Sequence, residues 1–274
     1  MGGSLGLALK RYVRHVRVIG VSRTSRKIRR ARRIGAIDVG TTSIARAMRE
    51  ADLAVICTPV RTIAGFVRVL DRSVTRNVVV TDVGSTKSTL MSAFAKHRLK
   101  HVRFVGSHPM AGWHETGLDA ARHDLYRGAC VFVSAFKSDP AARKVEALWQ
   151  SVGAHVQRIA PDAHDRIVAR ISQLPHLLAV LLVAHASPHF LRHAGSGFRD
   201  STRIAQGDAG LWLDIVATNR RHLARELDDF GKRLRVLARA VRTGDETFLY
   251  RLLHQVSAAR RRLDRNVRGH DHRP

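Results

Sequence analysis

Short apolar, β-branched runs alternate with helical patterns up to about residue 160, and no other feature narrows the fold as far. The runs are "VRVIGV" (16–21), "DLAVICT" (52–58), "NVVVTDV" (77–83), "VRFVGS" (102–107) and "ACVFVS" (129–134). Each is rich in β-branched residues and bounded by turn residues, as strands buried on both faces tend to be. Between them lie "SRKIRRARRIG", closing on Gly35, then "SIARAMREA", "RTIAGFVRVLD", "STLMSAFAKH" and "DPAARKVEALWQSVG". Asp139 stands where it would cap the last of these helices, with Pro140 at its first position. "HVQRI" (155–159) reads as a final strand. The order predicts a doubly wound, mostly parallel α/β domain over residues 1–160. After Pro161 the strand signals stop. Three long stretches with apolar residues at helical spacing predict an all-helical domain over 161–274, with a loose polar tail beyond about residue 267. The second of these helices is long and its apolar face needs a partner, which suggests helix exchange in a homodimer.

Composition bounds the function classes. The 274 residues carry a formal charge of +26, with arginine far outnumbering lysine. Such a field suits nucleic acid, small polyanionic ligands, or nothing beyond solvated helix faces. The basic residues are scattered and aromatics make up only 5%, which speaks against stacking platforms for single strands. Two cysteines, Cys57 and Cys130, cannot build a disulfide framework, and a reducing cytoplasm is the expected setting. The longest apolar run, "LLAVLLVAHA", falls short of the roughly 18 residues that span a bilayer. The first residues place their charges after the apolar stretch, the wrong order for a secretory signal.

The beginning resembles the back half of a dinucleotide-binding βαβ unit. Such a unit needs a strand and then G-x-G-x-x-G opening a helix, whose free N–H groups bind pyrophosphate. Here a helix-like "LGLALKRYV" follows Met1-Gly2-Gly3-Ser4 directly, and Gly2 stands where the third glycine would be. A central strand missing from such a sheet would leave backbone groups unpaired at about 1–3 kcal/mol each. The expectation is therefore that the true start lies upstream of Met1; the alternative is a short, degenerate protein. Gly2, Gly3 and Ser4 are candidate cofactor contacts. At the end of "VRVIGV", where an acidic residue would bind the ribose hydroxyls of NAD, stand Ser22 and Arg23. They can hold a 2′-phosphate, which favours NADP with NAD possible, though Arg23 also reads as a solvated surface arginine.

Two neighbouring strands end in "TDVGSTK" and "GSHPMAGWHETG", and the helical part holds "HD…ISQLPH" and "GFRDSTRIAQGDAGLWLDI…N". Together these segments resemble the prephenate/arogenate dehydrogenase family, in order and in the expected domains, from Gly2 to about residue 260. The resemblance implies a Rossmann-type nucleotide-binding domain joined to a helical dimerisation domain. It also implies oxidative decarboxylation of prephenate or arogenate on the route to tyrosine, with hydride passing to NAD(P)+. A neutral histidine near its natural pKa suits removal of the ring hydroxyl's proton, and His108 matches the family's catalytic histidine. Ser85 matches the serine that hydrogen-bonds substrate and histidine, and Arg203 the carboxylate-binding arginine. Asp200 would orient Arg203's loop. His176 would line the pocket, although it also reads as a core histidine. Thr58 and Pro59, and Asp82 and Gly84, fall where the family touches the nucleotide. Gln173 replaces a frequent family histidine, and the loop holding His114 departs from the family, leaving substrate choice open. Alternatives to an active enzyme are an inactive truncated relative or, less favoured, a basic nucleic-acid binder.

Overall fold

A computed structural model describes residues 1–96, 99–112, 117–135 and 139–271, with side chains to residue 263. The chain divides into two compact units, Met1–Arg220 and the residues from Arg221 onward. The first opens with α1 (Gly2–Tyr12), β1 (Ile19–Val21), α2 (Ser25–Arg33), β2 (Val39–Thr41), α3 (Ile44–Glu50) and β3 (Leu53–Ile56). It continues through α4 (Val60–Ser73), β4 (Val78–Asp82), α5 (Ser88–Lys96), β5 (Val102–Pro109), β6 (Cys130–Ser134), α6 (Pro140–Ser151) and β7 (His155–Arg158). Thr24 caps α2, Ser43 caps α3 and Asp139 caps α6, each accepting from a backbone N–H of the first turn. Gly35, at φ 75°, ends α2 in the left-handed region that favours glycine.

The strands form two sheets. β1 and β2 make a parallel ribbon, and the larger sheet runs β3-β4-β5-β6-β7. All its pairs are parallel except β5–β6, where His108 faces Phe132. The sequence predicts neither β2 nor the antiparallel step. β2 is only Val-Gly-Thr, too short to show a period, and a strand apolar on both faces carries no mark of direction. Helices cover both faces of the larger sheet. Leu5 and Ala8 of α1 and Val145 and Trp149 of α6 pack on Val105, Val131 and Val133. Met48, Ile63, Val67 and Leu90 of α3, α4 and α5 pack on Val78 and Val80 on the other. α1 approaches closely because Gly6 has no side chain: a Cβ there would lie 2.0 Å from the Ala36 carbonyl oxygen. Trp149 is fully buried and donates its indole N–H to Ser107 Oγ at 3.0 Å. Truncating it would cost about 3–5 kcal/mol.

From Pro161 the chain is helical. α7 (Pro161–Val168) passes through a π-helical turn (Ala169–Gln173) into α8 (Leu174–His185). This continuous stretch is long and apolar enough to cross a membrane by length and composition, which the ten-residue apolar run did not suggest. However, His164, Asp165, Gln173 and His176 along it are buried in protein. Short α9 (Pro188–Leu191) and α10 (Ser196–Thr202) lead to a 3₁₀ turn (Arg203–Gln206), then α11 (Ala209–Thr243) and α12 (Glu246–Asp271). Asn219 interrupts α11 with φ −127° and ψ 22°.

Candidate active site

The turn between β4 and α5 is built around a buried ion pair. Lys87 and Asp82 are both fully enclosed, with Nζ 2.6 Å from Oδ2. Lys87 Nζ also donates to the carbonyls of Gly84 at 2.8 Å and Thr86 at 3.1 Å. Asp82 Oδ1 accepts from Ser107 N and Oδ2 from Gly84 N. Two glycines make room for this. A Cβ at Gly84 would meet Asp82 Oδ2 at 2.8 Å, and one at Gly106 would meet Lys87 Cδ at 2.8 Å. Asp82, expected near the nucleotide, thus spends its carboxylate inside the protein and shapes the turn. Ser85 sits half-buried in that turn.

His108 lies at the end of β5, 8% exposed. Its Nδ1 is 2.9 Å from Nε2 of His164, and His164 Nδ1 is 2.8 Å from Asp165 Oδ1. His164 and Asp165 are fully buried residues of α7. The two imidazoles meet edge-on at 73°, and His164 meets the Phe132 ring at 82°. Asp165 also accepts backbone N–H groups from Lys87 at 2.7 Å and Ser88 at 2.8 Å, tying α7 to the start of α5. Burial, the neighbouring His164 and the Lys87 ammonium together hold His108 well below the usual imidazole pKa. Burial also lowers His164. Burial alone would raise Asp165, but hydrogen bonds from His164, Ser88 N and Lys87 N outweigh it and keep the carboxyl below its ordinary range. The result is a neutral, enclosed imidazole able to accept a proton. The letters "HD" were part of the sequence signature, but nothing in the sequence pairs residue 164 with residue 108.

A second cluster of candidate residues lies on α8 and the 3₁₀ turn. His176 is buried and stacks on Trp212 at 3.4 Å and 9°. Burial lowers its pKa, opposed by a hydrogen bond with the Ile204 backbone. That bond puts His176 beside the turn that begins at Arg203. A Cβ at Gly207 would strike Trp212 Nε1 at 2.4 Å, so this turn closes tightly over the stacked rings. Arg203 and Asp200 are exposed on the turn and on α10. Asn219 Nδ2 donates to the Asp165 carbonyl at 2.8 Å and to Gln173 Oε1 at 2.9 Å, joining the π turn to α7. His114 lies outside the described residues.

The candidate nucleotide-binding residues surround the start of α1. Gly2 opens that helix, and a Cβ on it would come 3.2 Å from Cys57 Cβ, beside Thr58 and Pro59 after β3. Thr58 Oγ1 lies 2.8 Å from Thr62 Oγ1, and Pro59 immediately precedes α4. Gly3 has equally little room, with Leu118 Cδ2 2.8 Å from a built Cβ. Ser4 is buried, and its hydroxyl accepts from Arg122 N at 3.1 Å, so it anchors a neighbouring loop rather than facing outward. Ser22, half-buried, donates its N–H to Thr41 O, and Arg23 is exposed beyond β1. Side-chain-free residues at a helix N-terminus, with a strand end and an exposed arginine on the neighbouring ribbon, fit a dinucleotide phosphate.

Comparison with known proteins agrees with this geometry. Residues 5–158 match the prephenate dehydrogenase nucleotide-binding domain and residues 160–255 the prephenate dehydrogenase dimerization domain. Prephenate dehydrogenase of Bacillus subtilis (strain 168) is 30% identical over 260 residues, covering 92% of this chain and 70% of that protein. Cyclohexadienyl dehydrogenase of Zymomonas mobilis is 29% identical, covering 100% of this chain and 95% of that protein. The crystal structure of prephenate dehydrogenase from Aquifex aeolicus, in complex with hydroxyphenyl propionate and NAD+, superposes with a TM-score of 0.88. It is 32% identical and covers 96% of this chain and 94% of that one. Synechocystis arogenate dehydrogenase gives a TM-score of 0.80 at 26% identity, covering 96% of both chains. Two contiguous domain matches, a buried histidine at the end of β5 and a glycine-opened helix beside β3 lead to one conclusion: the chain belongs to the prephenate dehydrogenase family.

Proposed function

We propose that the chain oxidatively decarboxylates prephenate or arogenate, with hydride transfer to a nicotinamide nucleotide, in tyrosine biosynthesis. The observation that carries this reading is His108, buried, neutral and held at a strand end, linked through His164 and Asp165 to the Lys87 and Ser88 amides that end Ser85's turn. His108 takes the proton of the ring hydroxyl as the carbinol carbon becomes a carbonyl. The bound nicotinamide supplies the acceptor for the hydride that this carbon loses. The bond to the ring carboxylate then breaks, CO2 leaves, and the electron pair runs through the ring to oxygen, which regains its proton from His108. Ser85 hydrogen-bonds the hydroxyl, Arg203 grips a carboxylate with paired N–H donors, and Asp200 orients the loop that carries Arg203. His176, held flat against Trp212, lines the pocket.

Gly2 and Gly3 at the start of α1, together with Thr58 and Pro59, would hold the pyrophosphate. Ser22 and exposed Arg23 favour NADP over NAD, because a 2′-phosphate gains a cation there. A homodimer is supported by the dimerization-domain match and by exposed Leu234, Val241, Leu253 and Val256 on the second unit's helices. The test is spectrophotometric: prephenate and arogenate are each offered with NAD+ and NADP+. Reduction in at least one pairing is expected, strongest with NADP+, and none in all four would refute the proposal.

A further inference from the structure

We propose that His164 and Asp165 are positioning residues that fix the tautomer of His108, leaving its Nε2 as the bare, proton-accepting atom. This rests on the function proposed above and adds two residues to its machinery. The order is dictated from the carboxylate end. An ionised carboxylate only accepts hydrogen bonds, so the 2.8 Å contact with Asp165 Oδ1 puts the proton of His164 on Nδ1. A neutral imidazole carries one ring proton, so His164 Nε2 is a lone pair. Nε2 lies 2.9 Å from His108 Nδ1, which must then carry the proton of that ring. His108 Nε2 is left as the acceptor. When it takes the hydroxyl proton of the substrate, the new imidazolium keeps its Nδ1–H bond to His164, whose own N–H faces a carboxylate.

The anchor is rigid. Asp165 is buried and holds three N–H donors: His164 Nδ1, Lys87 N and Ser88 N. Asn219 fixes the backbone carbonyl of the same residue. The Lys87 and Ser88 amides end the turn that carries Ser85, so one carboxylate sets both the serine's turn and the histidine's tautomer. In the Ser-His-Asp triad, an acid-to-amide change that leaves the geometry intact but selects the wrong imidazole tautomer lowers kcat about 10⁴-fold.

The test uses the full chain. Histidine is labelled with ¹⁵N, and the His108 ring signals are identified by their loss in His108→Asn. Above pH 8 a protonated Nδ1 and a bare Nε2 are expected; a dominant Nε2–H form overturns the proposal. Two variants add a kinetic arm. His164→Gln keeps an acceptor for His108 and a donor for Asp165, so kcat should stay within roughly tenfold of the unaltered chain. His164→Phe keeps the ring against Phe132 but has neither group, so kcat should fall roughly 10²–10⁴-fold with KM and cofactor affinity nearly unchanged. A plain packing role would reverse that order, and Phe outperforming Gln overturns the proposal. If either variant fails to fold, the NMR result on the unaltered chain decides alone. If the unaltered chain reduces no nicotinamide, the proposed function fails, while the tautomer is still read directly.

Discussion

Replacing Lys87 by Met isolates the most costly interaction in the site. The unbranched methionine fits the channel that Gly106 leaves open, so the change removes charge and hydrogen bonds rather than volume. Three contacts disappear: 2.6 Å to Asp82 Oδ2, 2.8 Å to Gly84 O and 3.1 Å to Thr86 O. Asp82 stays fully buried, with only the N–H groups of Ser107 and Gly84 to face its charge. Removing one partner of a buried pair costs about 3–5 kcal/mol, and each kilocalorie lowers the melting temperature of a chain this size by about 2–4 °C. Lys87→Met should therefore melt about 6–20 °C lower by calorimetry or circular dichroism. The double variant Asp82→Asn/Lys87→Met should recover at least about 1 kcal/mol of the summed single losses. Chemistry should move as well. Lys87 is one of the groups depressing His108, so its loss lets the acid limb of kcat/KM rise toward the ordinary histidine range. A stability cost below about 1 kcal/mol, together with an unmoved acid limb, would refute the reasoning.

Other expectations follow from the same geometry. His108→Asn should lower kcat by about 10²–10⁴-fold while nucleotide affinity, measured by fluorescence titration, changes little; retained turnover would place the base elsewhere. Arg203→Ala should raise KM for the carboxylate substrate about 10- to 150-fold without lowering the melting temperature, and an unchanged KM would remove its role. Arg23→Ala should weaken NADP+ about tenfold and leave NAD+ nearly unaffected, as initial-rate kinetics with both nucleotides would reveal. Stability should fall as pH drops below about 6.5, because the unfolded chain then binds protons that buried His108 and His164 refuse. The share held by Asp165, whose folded pKa is depressed, is present above about pH 4 and is lost below it. Urea midpoints that stay flat between pH 5 and 8 would contradict the histidine part.

Much of the fold was legible because buried strands and amphipathic helices leave periodic marks. β4 carries Val78 and Val80 to one face and Val79 to the other, and the cap at Asp139 is a single-residue signal. The helical pattern closing on Gly35 was legible for the same reason, since its left-handed conformation suits glycine. What stayed hidden depends on partners distant in sequence. The reversed direction of β6 is set by the connection that brings Cys130–Ser134 back along β5, not by their composition. The kink at Asn219 exists because its amide bridges Asp165 and Gln173, 54 and 46 residues away. For the candidate site, motif context alone singled out His108 and Arg203. The fully enclosed Lys87 and the His164–Asp165 pair were not singled out, because burial is not written in a residue's letter.

The β1–β2 ribbon carries one further consequence. Its ladder holds three residue pairs, and among the described residues it shares no ladder with the larger sheet. Such a ribbon can detach briefly while β3 through β7 remain closed, so amide protons at Ile19 and Gly20 should trade with solvent far sooner than those at Val80. Ser22 and Arg23 follow directly on β1 of this separate ribbon, so a nucleotide seated there would act as a clasp. Its arrival would register first as slowed deuterium uptake in these few residues, before any change in the melting of the whole.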